Sequence, residues 1–386
     1  MRRDCPNFTP KSILLMRLDR LSLLNFKNFQ EVSINLSAGL NCFVGANGAG
    51  KTNLLDAVHY LSMSKSFLMT ADIHSIRHQE EFFVLQGDFF RDGREERIYC
   101  GVKRGVPKVF KRNGKDYEKI SDHIGLLPVV FVSPYDTNLI DGPGEERRRY
   151  LNSVISQLDS SYLTAMMDYN RVLSQRNRFL KQAWEKRHLD EEVMDVLDLQ
   201  LSTLGAAVYE RRRQFVDEIV PLFNNYYQFV SGGKEKVELG YESSLSKKPL
   251  VELLKMSREK DRFLQHTSVG VHRDDIELLI DGFPVKRVGS QGQQKTVLIA
   301  LKLAQFDYIS RATGLKPLLL LDDIFDKLDM QRVEQLIALV AGEGFGQIFI
   351  TDSNKTRLDG ILRQTMGQHR LFRVDDGLVI PVDDEK

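Results

Sequence analysis

Gly45-Ala46-Asn47-Gly48-Ala49-Gly50-Lys51-Thr52 satisfies G-x-x-x-x-G-K-[ST] at every position. Before it, Leu40-Asn41-Cys42-Phe43-Val44 reads as a short buried strand; after it, Asn53 to Leu61 carries apolar residues at helical spacing. A strand, a glycine-rich loop and a helix in that order make a phosphate-binding loop. Its three glycines let backbone N–H groups turn inward around an anion without interference from a Cβ. The helix N-terminus adds partial positive charge. Lys51 would reach the β- and γ-phosphates, and the Thr52 hydroxyl would hold Mg²⁺. A chance glycine-rich turn does not explain the full match in this setting. The residues Gly45 to Asn53 therefore read as a nucleoside triphosphate site.

At 386 residues the chain has room for two or three domains. A hydrophobic content of 42% and a charged content of 28% describe an ordinary globular protein. The formal net charge is +1, so any nucleic-acid contact must use local basic patches. Cys5, Cys42 and Cys100 are widely spaced with no C-x-x-C pair, which argues for a reducing compartment and against a zinc hook. No apolar run reaches the ~18 residues of a membrane span, and Met1 to Ser12 lack the apolar core of a secretory signal. A cytoplasmic, nucleoid-associated location with no membrane partner is expected. Residues 1–15 are expected to be a disordered extension or the product of a misplaced start, because Met16 opens a good strand pattern.

From Met16 to residue 140 the sequence reads as the first part of an ATPase lobe. Arg17 to Leu24 and Glu31 to Leu36 alternate as two antiparallel strands leading into the phosphate loop. From Phe82 to Lys119 the Asp92-Gly93 and Asn113-Gly114 turns between alternating runs predict a β-meander. Residues 103–119 hold seven basic and two acidic side chains. Lys103, Arg104, Lys108, Lys111 and Arg112 are candidates for DNA contact. A solvated edge strand guarded by lysines would look the same. Pro128 to Val132 is a further apolar strand.

Residues 141–265 turn helical and charged. Leu163, Met166, Asn170, Leu173, Asn177 and Leu180, then Leu197, Leu201, Leu204, Val208, Arg211 and Phe215, mark two short heptad tracks. The break at Arg187 to Asp190 makes them an antiparallel hairpin with arms of ~40–60 Å. Arg147 to Arg149 and Arg211 to Arg213 read as solvated helix faces. Residues 266–386 return to mixed α/β, as the second part of the ATPase lobe. There Pro317 to Asp323 is a buried strand ending in two carboxylates. Asp322 would hold the Mg²⁺ shell with Thr52, and Asp323 would polarise the attacking water. Upstream of this strand lie Ser290-Gln291-Gly292-Gln293 and a strongly apolar helix from Thr296.

This set resembles the ATP-binding-cassette class, whose S-x-G-[QE] element meets nucleotide held by the other subunit. Ser290, Gly292 and Gln293 occupy those positions. A polar helix cap would explain the serine but not the Gly-Gln-Gln after it. Leu328-Asp329 resembles the class's D-loop, and Thr351-Asp352 stands where many members carry a histidine switch. The resemblance narrows to the RecF family through S-P-x-D…G-x-x-x-x-R-R-R-x-L at Ser133 to Leu151 and T-x-x-G-x-H-R-D-D at Thr267 to Asp275. Two departures are Lys27, where relatives often have arginine, and Ser66-Phe67-Leu68, which lacks a common basic residue.

The resemblance implies an α/β fold: an ABC-type P-loop head of the Rad50/SMC kind with an antiparallel β subdomain and an inserted helical arm. It implies a weak DNA-linked ATPase in which Lys51, Ser290 and Asp323 carry catalysis. It implies an ATP-dependent homodimer on double-stranded DNA or at single-/double-strand junctions, and a RecR-type mediator partner. His272-Arg273 would lie near the nucleotide or a lobe interface; a buried histidine satisfying backbone carbonyls is the alternative. An ATPase subunit of a membrane transporter shares the motifs, but there the signature follows the phosphate loop much sooner than the 238 residues between Thr52 and Ser290. A long structural tether would need a longer arm and a zinc hook.

Overall fold

The apolar run Leu40–Val44 forms a strand buried along its whole length, and the helix Lys51–Met63 follows the phosphate loop. The computed structural model describes residues 15–382 apart from 234, 326, 327, 329, 341, 343 and 365–367. The expected extension up to residue 14, the D-loop Asp329 and the acidic tail from residue 383 lie outside the described residues. The chain divides into two compact units, Met1–Pro134 with Gln305–Lys386, and Tyr135–Ala304. Residues 266–304, read above with the ATPase lobe, fall in the second.

The first unit holds two six-stranded sheets. In one, His369–Asp375, Leu40–Val44, Ile348–Asp352, Leu318–Asp322 and Val129–Val132 lie side by side and parallel, with Leu378–Val382 antiparallel on the edge. Leu318–Asp322 and Ile348–Asp352 are buried at every position, as strands covered on both faces must be. The other sheet is antiparallel, in the order Phe29–Asn35, Met16–Phe26, Phe82–Arg91, Arg94–Lys103, Val109–Arg112, Lys115–Asp116. Asp92 and Gly93, like Asn113 and Gly114, have positive φ at both turn positions, the backbone that D-G and N-G supply in tight hairpins.

The helix Lys51–Met63 is buried nearly all round because one core surrounds it. Leu54, Leu55, Tyr60 and Leu61 share that core with Phe26, Phe83 and Leu85 of the antiparallel sheet and with Phe131, Leu320 and Phe349 of the parallel one. Each such side chain contributes about 1.5–3 kcal/mol of burial. Gln347 ties the sheets in a second way: its amide oxygen accepts from Leu18 N (2.7 Å) and its nitrogen donates to the carbonyls of Leu18 (2.8 Å) and Ser37 (2.7 Å).

The second unit contains the helical hairpin, Ser160–Glu185 and Glu191–Ser231, with the break where expected. Asp190 caps the second helix by accepting from the backbone N–H groups of Glu192 and Val193. At 26 and 41 residues the arms are about 39 and 62 Å long. The buried stripes differ from the heptad tracks. Tyr162, Met166, Tyr169, Val172, Arg176 and Leu180 face inward on the first helix, and Met194, Asp198, Leu201, Val208, Arg212 and Phe215 on the second. Asn170 is exposed, and Arg212, not Arg211, is in the core. Nor is the region helical throughout. Val237–Glu242 is a strand, pairing with Asp275–Ile280 in a three-stranded sheet with Phe283–Pro284. Its period-2 pattern of Val237, Leu239 and Tyr241 is a strand signal that the charged surroundings obscure.

Candidate nucleotide site

Gly48 (φ 85°) and Gly50 (φ 107°) adopt left-handed backbone, which a side chain would strain. A Cβ on Gly50 would also lie 2.3 Å from the Asn28 amide, and one on Gly45 would lie 2.2 Å from the Val374 carbonyl. The loop is thus built for glycine on two independent grounds. No side chain caps the helix it opens, so the N-terminal N–H groups suit an anion. The Lys51 ammonium donates to the carbonyls of Gly45 (2.8 Å) and Ala46 (2.9 Å). Burial lowers its pKa, against the pull of Asp323, Asp322 and Asp352. An incoming triphosphate would pull it back up by favouring the charged form.

Thr52 and Asp322 meet across 270 residues of chain: the threonine hydroxyl lies 2.9 Å from each carboxylate oxygen. Asp322 is 3% exposed, and burial raises its pKa while hydrogen bonds from Thr351 and Thr52 hold it down. A buried carboxylate beside a hydroxyl at the carboxyl end of a parallel strand is a donor set that fits Mg²⁺. Thr351, where many members of the class carry the histidine switch, has a role that the sequence alone does not show. Its hydroxyl donates to Asp322 (2.7 Å) and accepts from the Asp323 N–H (3.0 Å), so it sets the spacing of the two aspartates. Asp323 sits at φ 48°, a sharp turn that carries the chain off the strand. Asp352 is engaged elsewhere, accepting from Arg357 at 3.0 Å and Asn354 N at 2.8 Å.

Asn28 is a second residue that the sequence reading missed. Its amide nitrogen donates to Ala49 O (3.0 Å) and its oxygen accepts from Asn53 (2.8 Å), bracing the phosphate loop from the first hairpin. Lys27 is paired with the buried Asp56 at 2.6 Å. Asp56 also accepts from Ser66 Oγ (2.6 Å) and Phe67 N (2.6 Å). The two departures from the family pattern are therefore joined through one carboxylate. An aspartate on the buried face of an apolar helix was the available signal for this.

In the second unit, Ser290 precedes the helix Gln291–Thr313. Its backbone N–H donates to Gln293 Oε1 (2.8 Å), and its hydroxyl accepts from Gln293 N (3.3 Å). This reciprocal capping box corrects the reading above, since a cap explains Gln293 as well as Ser290. Ser290 and Gln291 remain exposed. The two family-specific blocks pair with each other: Arg147 grips Asp275 (2.5 and 2.8 Å), and Arg148 donates to Asp274 O (2.8 Å). Arg212 donates to Val271 O (2.7 Å) and Asp274 (3.1 Å). For Arg147 and Arg212 the solvated-face reading fails; Arg149 and Arg213 are exposed, as it requires. His272 lies between Tyr169 OH (2.8 Å) and Thr267 O (3.1 Å), and burial lowers its pKa to about 4. It bonds a backbone carbonyl as the alternative reading requires, but it is half-buried rather than buried.

The basic segment 103–119 divides in two. Lys108 is held by Asp72 (2.9 Å) and Ser64 O (2.7 Å), Lys111 pairs with Asp116 (3.4 Å), and Arg112 chelates Glu96. Lys103 and Arg104 are exposed.

The chain matches the RecF/RecN/SMC N-terminal domain family over residues 17–370. It is 50% identical over 365 residues to the DNA replication and repair protein RecF of Bacteroides thetaiotaomicron, covering 94% of this chain and 98% of that one. A solved structure described as the recombination mediator protein RecF with ATP in the RecFOR pathway superposes with a TM-score of 0.86 at 30% identity, over 95% of this chain and 98% of the other. An Smc head domain of Pyrococcus furiosus shares the fold, with a TM-score of 0.54 at 17% identity, over 95% and 96% of the two chains. The architecture is an α/β ABC-type P-loop head with an antiparallel β subdomain and a helical arm.

Proposed function

The chain belongs to the RecF family, and we propose that it is a DNA replication and repair ATPase that closes as an ATP-dependent homodimer on double-stranded or gapped DNA. Slow hydrolysis releases it, and a RecR-type mediator takes over for recombinase loading. One observation carries the reading: Thr52 and Asp322, distant in sequence, share a hydrogen bond at the mouth of a loop whose Gly45 and Gly50 leave no room for a Cβ.

Residues Gly45 to Asn53 cradle the phosphates with backbone N–H groups, and Lys51 offsets the β- and γ-phosphate charge. Thr52 and Asp322 would hold Mg²⁺, which would supply positive charge against the phosphates. Asp323 orients and deprotonates the attacking water. Ser290, Gly292 and Gln293 contribute to nucleotide held by the partner subunit. The RecF family places no demand for a membrane partner, which leaves the transporter alternative without support. Lys103 and Arg104, at the end of the strand Arg94–Lys103 and in the turn after it, are the proposed DNA contacts, with Lys108, Lys111 and Arg112 holding the shape of the segment that follows.

Filter binding of gapped duplex DNA, with and without ATP, tests this. ATP should strengthen retention by the unaltered protein and leave a folded Lys51→Ala variant unaffected, since no other cation in the loop can replace the ammonium. Equal ATP stimulation of both proteins would refute the clamp.

A further inference from the structure

The arm carries a concavity of about 530 Å³ where the helix Ser160–Glu185 passes Leu264 and the turn after it. Ser174, Asn177, Arg178 and Lys181 line it from the helix, Gln265 and His266 from the turn, and no lining residue is acidic. Arg178 and Lys181 are exposed, and neither forms an ion pair among the described residues, unlike the arginines deeper in the arm. Asn177 is fixed in orientation: its oxygen accepts from both Thr267 N (2.8 Å) and Thr267 Oγ1 (2.7 Å), so its NH₂ group faces the other way. Thr267 is anchored in turn by the buried Arg176 at 2.9 Å. This floor is rigid, and it presents donors and cations.

Two aromatic rings continue the surface. Trp184 follows Lys181 by three positions and Lys181 follows Arg178 by three, so each is the surface neighbour of the next along a strip that winds about a third of the way round the helix. Phe263 adjoins the turn, and its ring meets that of Trp184 edge to face, with centroids 6.1 Å apart. Both rings are open to solvent, at 45% and 71% exposure. Cations at one end and exposed aromatic faces at the other are the two elements of single-strand nucleic-acid binding: charges follow the phosphates, and bases stack on the rings. Duplex DNA offers no free base face to such rings.

We propose that this face of the arm binds an unpaired nucleic-acid strand, with Arg178 and Lys181 on its phosphates and Trp184 and Phe263 against its bases. The choice of a nucleic acid over another polyanion rests on the DNA-bound reading above. The chain has one tryptophan, so the site carries its own reporter.

The test uses the full chain without nucleotide, titrated with a fluorescein-labelled thymidine 15-mer and with the unlabelled strand. Quenching of Trp184 emission on binding is expected. The Phe263→Ala variant should bind about ten-fold or more weakly by anisotropy. Replacing Arg178 and Lys181 together by alanine should flatten the log–log salt dependence by about 1.4, at about 0.7 per single-strand phosphate. Each altered residue is at the surface, and circular dichroism checks that the helices remain. Strand binding with unchanged Trp184 emission and an unchanged salt slope in the double variant would overturn the proposal. So would quenching by an acidic peptide but not by the strand, which would assign the face to a protein partner. Intact strand binding here without any ATP effect on gapped duplex would instead fault the clamp reading alone.

Discussion

At the scale of single residues, several positions that organise the molecule are polar and buried. His123 is fully buried among Phe110, Tyr117 and the phosphate-loop helix. Its Nε2 donates to Leu61 O (2.7 Å), so its Nδ1 accepts from Tyr117 OH (2.9 Å). Burial lowers its pKa from 6.5 to about 4. The unfolded chain therefore binds the proton more readily between those values, and stability rises with pH across that window. The contribution is complete above about pH 6.5 and falls as the medium is acidified towards 4. Between pH 7.5 and 5 this one group should remove about 2 kcal/mol. A His123→Gln variant can keep both hydrogen bonds without titrating. Urea midpoints should fall less on acidification for this variant than for the parent, and parallel falls would assign the acid lability to other groups. The nucleotide site was legible at this scale where spacing encodes it, at Gly45 to Thr52 and Asp322. Asn28 and Thr351 were not, because their roles depend on a hairpin and a neighbouring strand arriving at the same place.

At the scale of elements, the arm shows why a hydrophobic count alone misplaces a helix face. Its interior is pinned by charge. Arg176, fully buried, donates to Asp198 (2.7 Å) and Asp261 (2.8 Å), and Arg258 reaches Asp198 from the third helix, Leu250–Leu264 (2.8 Å). The heptad tracks, set by their leucines, slip by one position at several points and give Arg176 and Arg212 no inward place. Removing one partner from such a set strands the others: Arg176→Met should cost about 3–5 kcal/mol. Arg171→Met, on the exposed pair with Asp168, should change stability by less than about 1 kcal/mol. Urea unfolding followed by far-ultraviolet circular dichroism compares them, and equal midpoints would mean that the buried set contributes no net stability. The basic strand Val109–Arg112 raises the same issue on a sheet. Its cations are spent within the fold, so altering Lys111 and Arg112 should leave the salt dependence of duplex binding nearly unchanged. Lys103→Ala with Arg104→Ala should flatten it by up to about 1.8, at about 0.9 per phosphate. The reverse pattern would move the contact to the paired cations.

At the scale of the whole molecule, the question is whether one chain completes an ATPase site. The proposed arrangement places Ser290 of one subunit against nucleotide held by Lys51 of the other. Ser290→Arg loses a helix cap, at about 1 kcal/mol, but Val297 to Ala300 keep the helix anchored in the core. The variant should therefore fold and bind ATP, yet fail to pair, because an added charge would be buried against the γ-phosphate region. Lys51→Ala should fail for the separate reason that it cannot hold nucleotide. Mixed in equal amounts with random pairing, the two give half heterodimers. Each heterodimer has one doubly defective site and one intact site, so about a quarter of all sites are competent. ATP hydrolysis by the mixture, with neither parent active, would establish that the residues act across the two-fold axis. Silence is expected instead if both sites must fill before pairing, and then a crosslink decides. With ATP bound, cysteines introduced at Ser290 and in the phosphate loop should join two chains; a crosslink found solely within one chain would end the shared-site arrangement.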